Sequence, residues 1–99
     1  MRISFMNKTL EKRMSKLLLS DDKDLFPILM LFNGAIAARN RYDLFCFSTF
    51  FFTDDESKKD VFWAHFATNK KINIQVRFDE DEESGGELFY VLEVINNDN

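Results

Sequence analysis

Few residues in this chain could do covalent chemistry. Cys46 is the sole thiol and His65 the sole imidazole, a pair that supplies nucleophile and base wherever a fold brings the two within hydrogen-bond reach. No supporting spacing accompanies them. Cys46 stands between Phe45 and Phe47, surroundings in which a thiol packs as a small, inert hydrophobe. His65 is flanked by Ala64 and Phe66, with Trp63 close by, and reads as a structural imidazole without an identifiable partner. No catalytic residue is assigned.

Carboxylates are plentiful and clustered. The tract Asp79-Glu80-Asp81-Glu82-Glu83-Ser84-Gly85-Gly86-Glu87 joins two β-like runs, which predicts a hairpin tip that concentrates negative charge. Asp79, Asp81 and Glu83 match alternate ligand positions of the helix-loop-helix calcium loop. Ser84, however, stands where that loop needs glycine, and Tyr90 where it needs a bidentate glutamate, so the motif is absent. Gly85-Gly86 is followed by neither a basic residue nor a helix pattern, which excludes a phosphate loop. No metal site or cofactor is assigned. Acid–base catalysis needs only two carboxylates in a cleft, and sequence spacing does not reveal clefts.

The elements that would carry these residues must come from 99 residues, enough for one small core. Hydrophobic residues make up 45% of the chain and charged residues 30%, the composition of a folded soluble protein. Residues 1–41 hold eight Lys/Arg and four Asp/Glu, and residues 42–99 hold five and thirteen, so the halves carry +4 and −8. The overall charge of −4 argues against direct nucleic-acid binding, which draws its affinity from clustered Lys and Arg. The basic residues Lys8, Lys12, Arg13 and Lys16 fit the solvated face of a helix. The apolar stretch from Leu25 to Ala38 contains Pro27, Asn33 and Gly34 and is shorter than a bilayer span. No leader pattern is visible, and a lone cysteine fits a reducing compartment. The expectation is a cytoplasmic protein without membrane contact.

Periodicity predicts an α+β domain over residues 1–99, with two N-terminal helices packed on a four-stranded antiparallel β-meander. Arg2 to Met6 reads as a short extended segment. Asn7 caps a helix over about 7–20 whose Leu10, Met14, Leu17 and Leu18 form one stripe. Asp24 and Pro27 open a second helix over about 24–41. It is apolar nearly all round and therefore central, and Gly34, Ala35, Ala37 and Ala38 allow close approach. Strands are predicted at about 43–53, 61–68, 72–78 and 87–95. Ser57 to Asp60 resembles a capping box that would make residues 61–68 helical, but the density of β-favouring residues favours strand. In Ile72–Phe78 alternation sends Ile72, Ile74, Val76 and Phe78 inward. The segments 44–52 and 88–95 do not alternate and place apolar residues on both faces. Two helices cover only one face of a sheet, which implies that the second face meets a partner.

With no catalytic signature, the reading favoured is a small acidic, non-enzymatic protein-binding module of the inhibitor or neutraliser type. Its carboxylates Asp79, Glu80, Asp81, Glu82 and Glu83, with Asp54, Asp55 and Glu56, would cover a basic, nucleic-acid-binding surface of another protein as a nucleic-acid mimic. Phe50, Phe52 and Trp63 would hold the contact by aromatic burial. The competing reading is a self-assembling homodimeric structural or adaptor subunit that pairs its second sheet face across a twofold axis, with the acidic tip serving solubility.

Overall fold

Hydrophobic alternation and helix capping divide the chain into helices over one face of a mixed sheet. The computed structural model describes residues 1–97; the last two residues of the 1–99 unit read from the sequence lie outside the described residues. In chain order the elements are β1 (Arg2–Phe5), α1 (Lys8–Leu18), a 3₁₀ turn (Lys23–Leu25), α2 (Phe26–Ala37), α3 (Arg41–Leu44), β2 (Phe50–Asp54), β3 (Val61–Phe66), β4 (Ile72–Asp81) and β5 (Gly86–Asn96). The sheet has five strands in the order β1-β5-β4-β3-β2. The meander β2 to β5 is antiparallel, as the sequence predicts, but β1 adds a fifth strand parallel to β5. The α+β class stands, and the four-stranded, all-antiparallel sheet is corrected to a five-stranded mixed one. A parallel neighbour needs a long crossover, and α1 to β4 provide it. Among the described residues no helix is long and apolar enough to cross a membrane.

Local chemistry sets the helix boundaries. Asn7 caps α1, its side chain accepting the Leu10 amide at 2.8 Å, and Leu10 and Met14 carry the buried stripe. Asp22, not Asp24, is the capping carboxylate: it accepts the Asp24 amide at 2.9 Å and starts the 3₁₀ turn, after which Pro27 occupies the first turn of α2. The predicted single helix over 24–41 breaks at Ala38, whose backbone is extended (ψ 148). The Met1 amino group takes the freed carbonyls of Ala35 and Ala38 at 2.8 and 2.6 Å, satisfying a helix C-terminus with a cation. Asn40 then caps α3. The predicted strand at 43–53 therefore begins only at Phe50, because residues 41–44 are helical and 45–49 form the connection. That connection passes close over α2. A Cβ at Gly34 would lie 3.2 Å from the Phe47 ring, tighter than ordinary contact, so the glycine expected to allow close approach admits the Phe47 ring.

The strands put one set of side chains under the helices. Phe50, Phe52, Phe62, Ala64, Phe66, Ile72, Ile74, Val76, Phe78, Phe89, Val91 and Val94 form the sheet side of the core with Leu10, Met14, Ile28, Leu31 and Phe32. Val91 and Val94 both face inward although three apart, because the β4–β5 register shifts between Gln75 and Val76 and takes up one residue. Residues 61–68 resolve as strand over Val61–Phe66.

The opposite face is mixed rather than the second apolar layer expected: Trp63 on β3 and Leu88, Tyr90 and Ile95 on β5 flank a polar centre. Its central row is Asn73, Gln75, Arg77 and Asp79, and these side chains bond along and across the strands. His65 Nδ1 lies 2.7 Å from Asn73 Oδ1 and Nε2 lies 2.8 Å from Thr53 Oγ1. Gln75 donates to Asp55 at 3.0 Å, and Arg77 pairs with Asp79 at 2.8 Å while lying 4.9 Å over the Tyr90 ring. Of the Phe-rich run, Phe50 and Phe52 point into the core, Phe45 and Phe47 lie outside any strand, and only Phe51 remains on this face. The alternation argument failed because it treated 44–52 as one strand.

Phe89 is fully buried and meets Phe32 and Phe78 edge-on at 5.9 and 5.8 Å. Phe89→Ala is expected to cost about 3–5 kcal/mol in urea unfolding, whereas Leu19→Ala, at an 84% exposed side chain, should stay within about 0.5 kcal/mol. Equal costs would contradict this core.

Candidate interaction site at the acidic end of the sheet

Antiparallel strand directions bring the acidic segments together. The β2–β3 and β4–β5 turns lie at the same end of the sheet, and the β3–β4 turn lies at the other. Asp54, Asp55 and Glu56 thus share an end with Asp79 to Glu83, although far apart in sequence. The last β3–β4 pair is Val61 with Arg77, while β4 and β5 stay paired to Asp81 and Gly86. The hairpin therefore projects past its neighbour by about 13 Å at roughly 3.3 Å per residue. Gly85, with φ +73, supplies the left-handed residue of the tip.

Two arginines fasten this end. Arg41, on α3, donates from Nη2 and Nε to Glu87 Oε2 at 2.6 and 2.8 Å and from Nη1 to Asp60 at 2.9 Å, while its backbone amide donates to Glu87 Oε1 at 2.7 Å. Its guanidinium lies 5.0 Å over the Phe78 ring. The hydrogen bond to Glu87 holds the Arg41 pKa above its ordinary value, against desolvation that pulls it down. Asp60 accepts this contact from a left-handed backbone (φ 61), a conformation Asp tolerates better than most residues. On the far face Arg2 grips Asp81 at 2.9 and 3.1 Å and reaches Glu83 at 2.9 Å.

These contacts divide the predicted site residues into two groups. Asp81 is buried, 3% exposed. Burial pushes its carboxyl up, but Ser84, Arg2 and the Glu83 amide bond the charged form and carry it below its ordinary value near 3.8. Asp79 is held by Arg77. Asp55 is lowered by bonds from the Ser57 hydroxyl and amide, opposed by desolvation and helped by Gln75. Asp54, Glu56, Glu80 and Glu82 are exposed, and among the described residues none has an ion-pair partner. Lys58 and Lys59 stand in the same β2–β3 turn and soften its charge. Between the α2–α3 junction and the hairpin runs an open groove of about 1270 Å³, bordered by Arg39, Asn40, Glu80, Glu82 and Gly86.

The aromatic candidates fare differently. Phe50 is 1% exposed and unavailable to a partner, whereas Phe52 is half-buried, its inner side packed against the core. Trp63 is half-buried on the polar face. The rings open to solvent are Phe26, Tyr42, Phe45, Phe47 and Phe51, none of them among the residues expected to meet a partner. Phe45 and Phe47 lie in the connection after α3, whose helical start at Asn40 was the missed signal.

Cys46 is exposed rather than packed, its thiol donating to the Tyr42 carbonyl at 3.5 Å. The sheet stands between it and His65, so no nucleophile pair forms. His65 does have partners: with Asn73 offering its carbonyl oxygen, Nδ1 carries the proton and Nε2 accepts from the Thr53 hydroxyl. This chain has the connectivity of a nucleophile, base and orienting group. It lies on the outer face of the sheet with Phe51 stacked on the imidazole at 5.1 Å. The amides of β3 and the inward amides of β2 are spent in the ladders, so no pair of free N–H donors converges there to hold a developing oxyanion. It acts as a cross-strand tie. Among the described residues no group of three or more His, Cys, Asp or Glu could hold a metal ion.

Neither protein-family models, nor curated proteins, nor solved structures gave a match to this chain.

Replacing Arg41 with Met leaves Glu87 and Asp60 without their cation and is expected to destabilise by about 2–3 kcal/mol in urea unfolding; a loss below about 0.5 kcal/mol would contradict the clasp. The depressed carboxyls also set a pH dependence. Asp81 and Asp55 contribute stability that is full above their ordinary value near 3.8 and is lost as pH falls toward their lower folded values, because the unfolded chain binds protons first. Thermal melts from about pH 6 to about pH 3 should show stability falling, and Asp81→Asn should flatten that slope. An unchanged slope in Asp81→Asn would contradict the assignment.

Proposed function

We propose that this chain is a small, non-enzymatic binding protein of the inhibitor or neutraliser type, whose acidic end covers a basic, nucleic-acid-binding surface on a target protein. One observation carries the reading. Four exposed carboxylates, Asp54, Glu56, Glu80 and Glu82, sit at one end of the sheet without an ion-pair partner among the described residues, while Arg2 and Arg41 are already committed to Glu87, Asp60, Asp81 and Glu83 and Arg39 borders the same groove. The unpaired charges ride on a hairpin and turn fixed from below, so a partner's Lys and Arg would meet carboxylates whose positions are preset, at reduced ordering cost. Charge of this kind raises association rates and selects partners by sign. The contact would be polar, since Phe50 is a core residue and the inner side of Phe52 packs against the core.

The immobilised full chain should retain basic nucleic-acid-binding proteins from a lysate at low salt and release them near 1 M salt, where the screening length falls to about 3 Å. Added polyanionic nucleic acid should compete. Glu80→Gln with Glu82→Gln should abolish retention, and Asp21→Asn with Asp22→Asn, of identical charge change at the other end of the molecule, should not. Equal loss in both pairs, or retention indifferent to salt, would overturn the reading.

A further inference from the structure

The edge formed by β2 carries a second association surface, one that meets the acidic end at Asp54. The Asp55 amide bonds the Val61 carbonyl at 2.9 Å and the Ala67 amide bonds the Thr49 carbonyl at 3.2 Å. Residues 49, 51, 53 and 55 thus turn their backbone groups toward β3, and by alternation Phe50, Phe52 and Asp54 turn theirs outward. β2 ends the sheet, so among the described strands nothing pairs with that row. An open edge of this kind is ordinarily blunted by Lys, Pro, a bulge or a cover. Phe50-Phe51-Phe52-Thr53 contains no charged residue and no proline. The opposite edge, β1, is four residues long and starts at Arg2.

We infer that two copies of this chain pair antiparallel through their β2 edges about a twofold axis at Phe52, forming one continuous ten-stranded sheet. The outward groups are self-complementary for this register: Phe52 meets its own mate and Phe50 meets Asp54, so all three outward residues of each copy are paired with an outward residue of the other. On the polar face Phe51, 53% exposed, falls opposite Thr53 of the second copy. On the helix side the Phe52 rings meet beside Phe45, which already touches Phe52 at 5.3 Å. Charge selects the direction. Parallel pairing would lay Asp54 on Asp54, whereas antiparallel pairing runs the acidic turn Asp54–Glu56 alongside the start of the other copy's β2. The β3–β4 turn there bears Lys70, with the Asp24 segment held beside it through Asn69, so the direction rests on keeping the two Asp54 side chains apart. The twofold expected from the sequence thus moves from the sheet face, whose central row is polar, to the sheet edge. The dimer would carry an acidic hairpin at each end, and its existence does not depend on the target proposed above.

Sedimentation of the full chain from about 1 μM to about 1 mM is expected to show its mass rising from 11.7 kDa to twice that value. Asp54→Pro deletes an outward N–H and no bond to β3, and the preceding Thr53 is already extended, as a residue before proline prefers. It should weaken the dimer at least about tenfold while circular dichroism and the thermal melt stay those of the folded chain. Phe51→Lys, a surface change that charges the edge, should do the same. Amide exchange in the wild-type dimer should protect the Phe52 N–H as strongly as the inward N–H of Phe51. A monomer throughout, a dimer with an unprotected Phe52 amide, or association indifferent to both substitutions would overturn the inference. Protection that appears only when a different polypeptide is added would do so too, by giving the edge to a foreign strand.

Discussion

Arg41 ties together three parts of the chain at the acidic end. From α3 it reaches Asp60 at the start of β3 and Glu87 at the start of β5, and its guanidinium roofs Phe78. Without a cation there, burial of Phe78 and Phe62 would leave Glu87 and Asp60 facing each other across an apolar layer. With it, two like charges become the anchors of one guanidinium, and its bonds to Glu87 and Asp60, with the Arg41 amide on the second Glu87 oxygen, fix α3 over the sheet. α2 ends at the extended Ala38, and α3 begins anew at the Asn40 cap that precedes Arg41.

The clasp also explains how so acidic an end stays folded. Glu80 and Glu87 pair directly across the hairpin, an arrangement that repels when both are free. Arg41 takes Glu87 out of that opposition, as Arg2 takes Asp81 on the other face. Each internal carboxylate is matched by an arginine or by hydrogen bonds, and the surplus is pushed to the exposed positions 54, 56, 80 and 82. A charged surface organised in this way can meet a basic partner without rearranging, which is the physical content of the proposed binding role.

Much of the scaffold was legible because its signals are local. The Asn7 cap, the stripe of α1, the alternation of β4 and the hairpin between Phe78 and Leu88 each follow from a few neighbouring residues. What was missed depends on distant partners. The extended segment read at Arg2 to Met6 is strand β1, but its parallel pairing with β5 depends on a strand some 86 residues away. The Phe-rich run splits into α3, a connection and β2 because Asn40 caps a turn that aromatic density conceals. The Val91–Val94 phase change needs a bulge that alternation cannot reveal. The same holds for the site: clustering of the acidic turns could be read from hairpin topology, but the division into clasped and unpaired carboxylates could not, since Arg2 and Arg41 lie 79 and 46 residues from Asp81 and Glu87. Phe50 and Phe52 were misjudged because strand parity, set by where β2 begins, decides which rings enter the core.

The claim at the centre of this account is that position, and not acidity alone, makes the hairpin end a docking surface. Asp21, Asp22 and Asp24 form a second acidic group near the β3–β4 turn, where Asn69 donates to the Asp24 carbonyl, and so supply an internal comparison. The most direct measurement is a two-dimensional amide NMR titration of the full chain with a short oligo-arginine peptide. The account predicts shifts confined to residues 54–56 and 79–87, with little change at 21–24. Shifts of equal size at both acidic groups would contradict it.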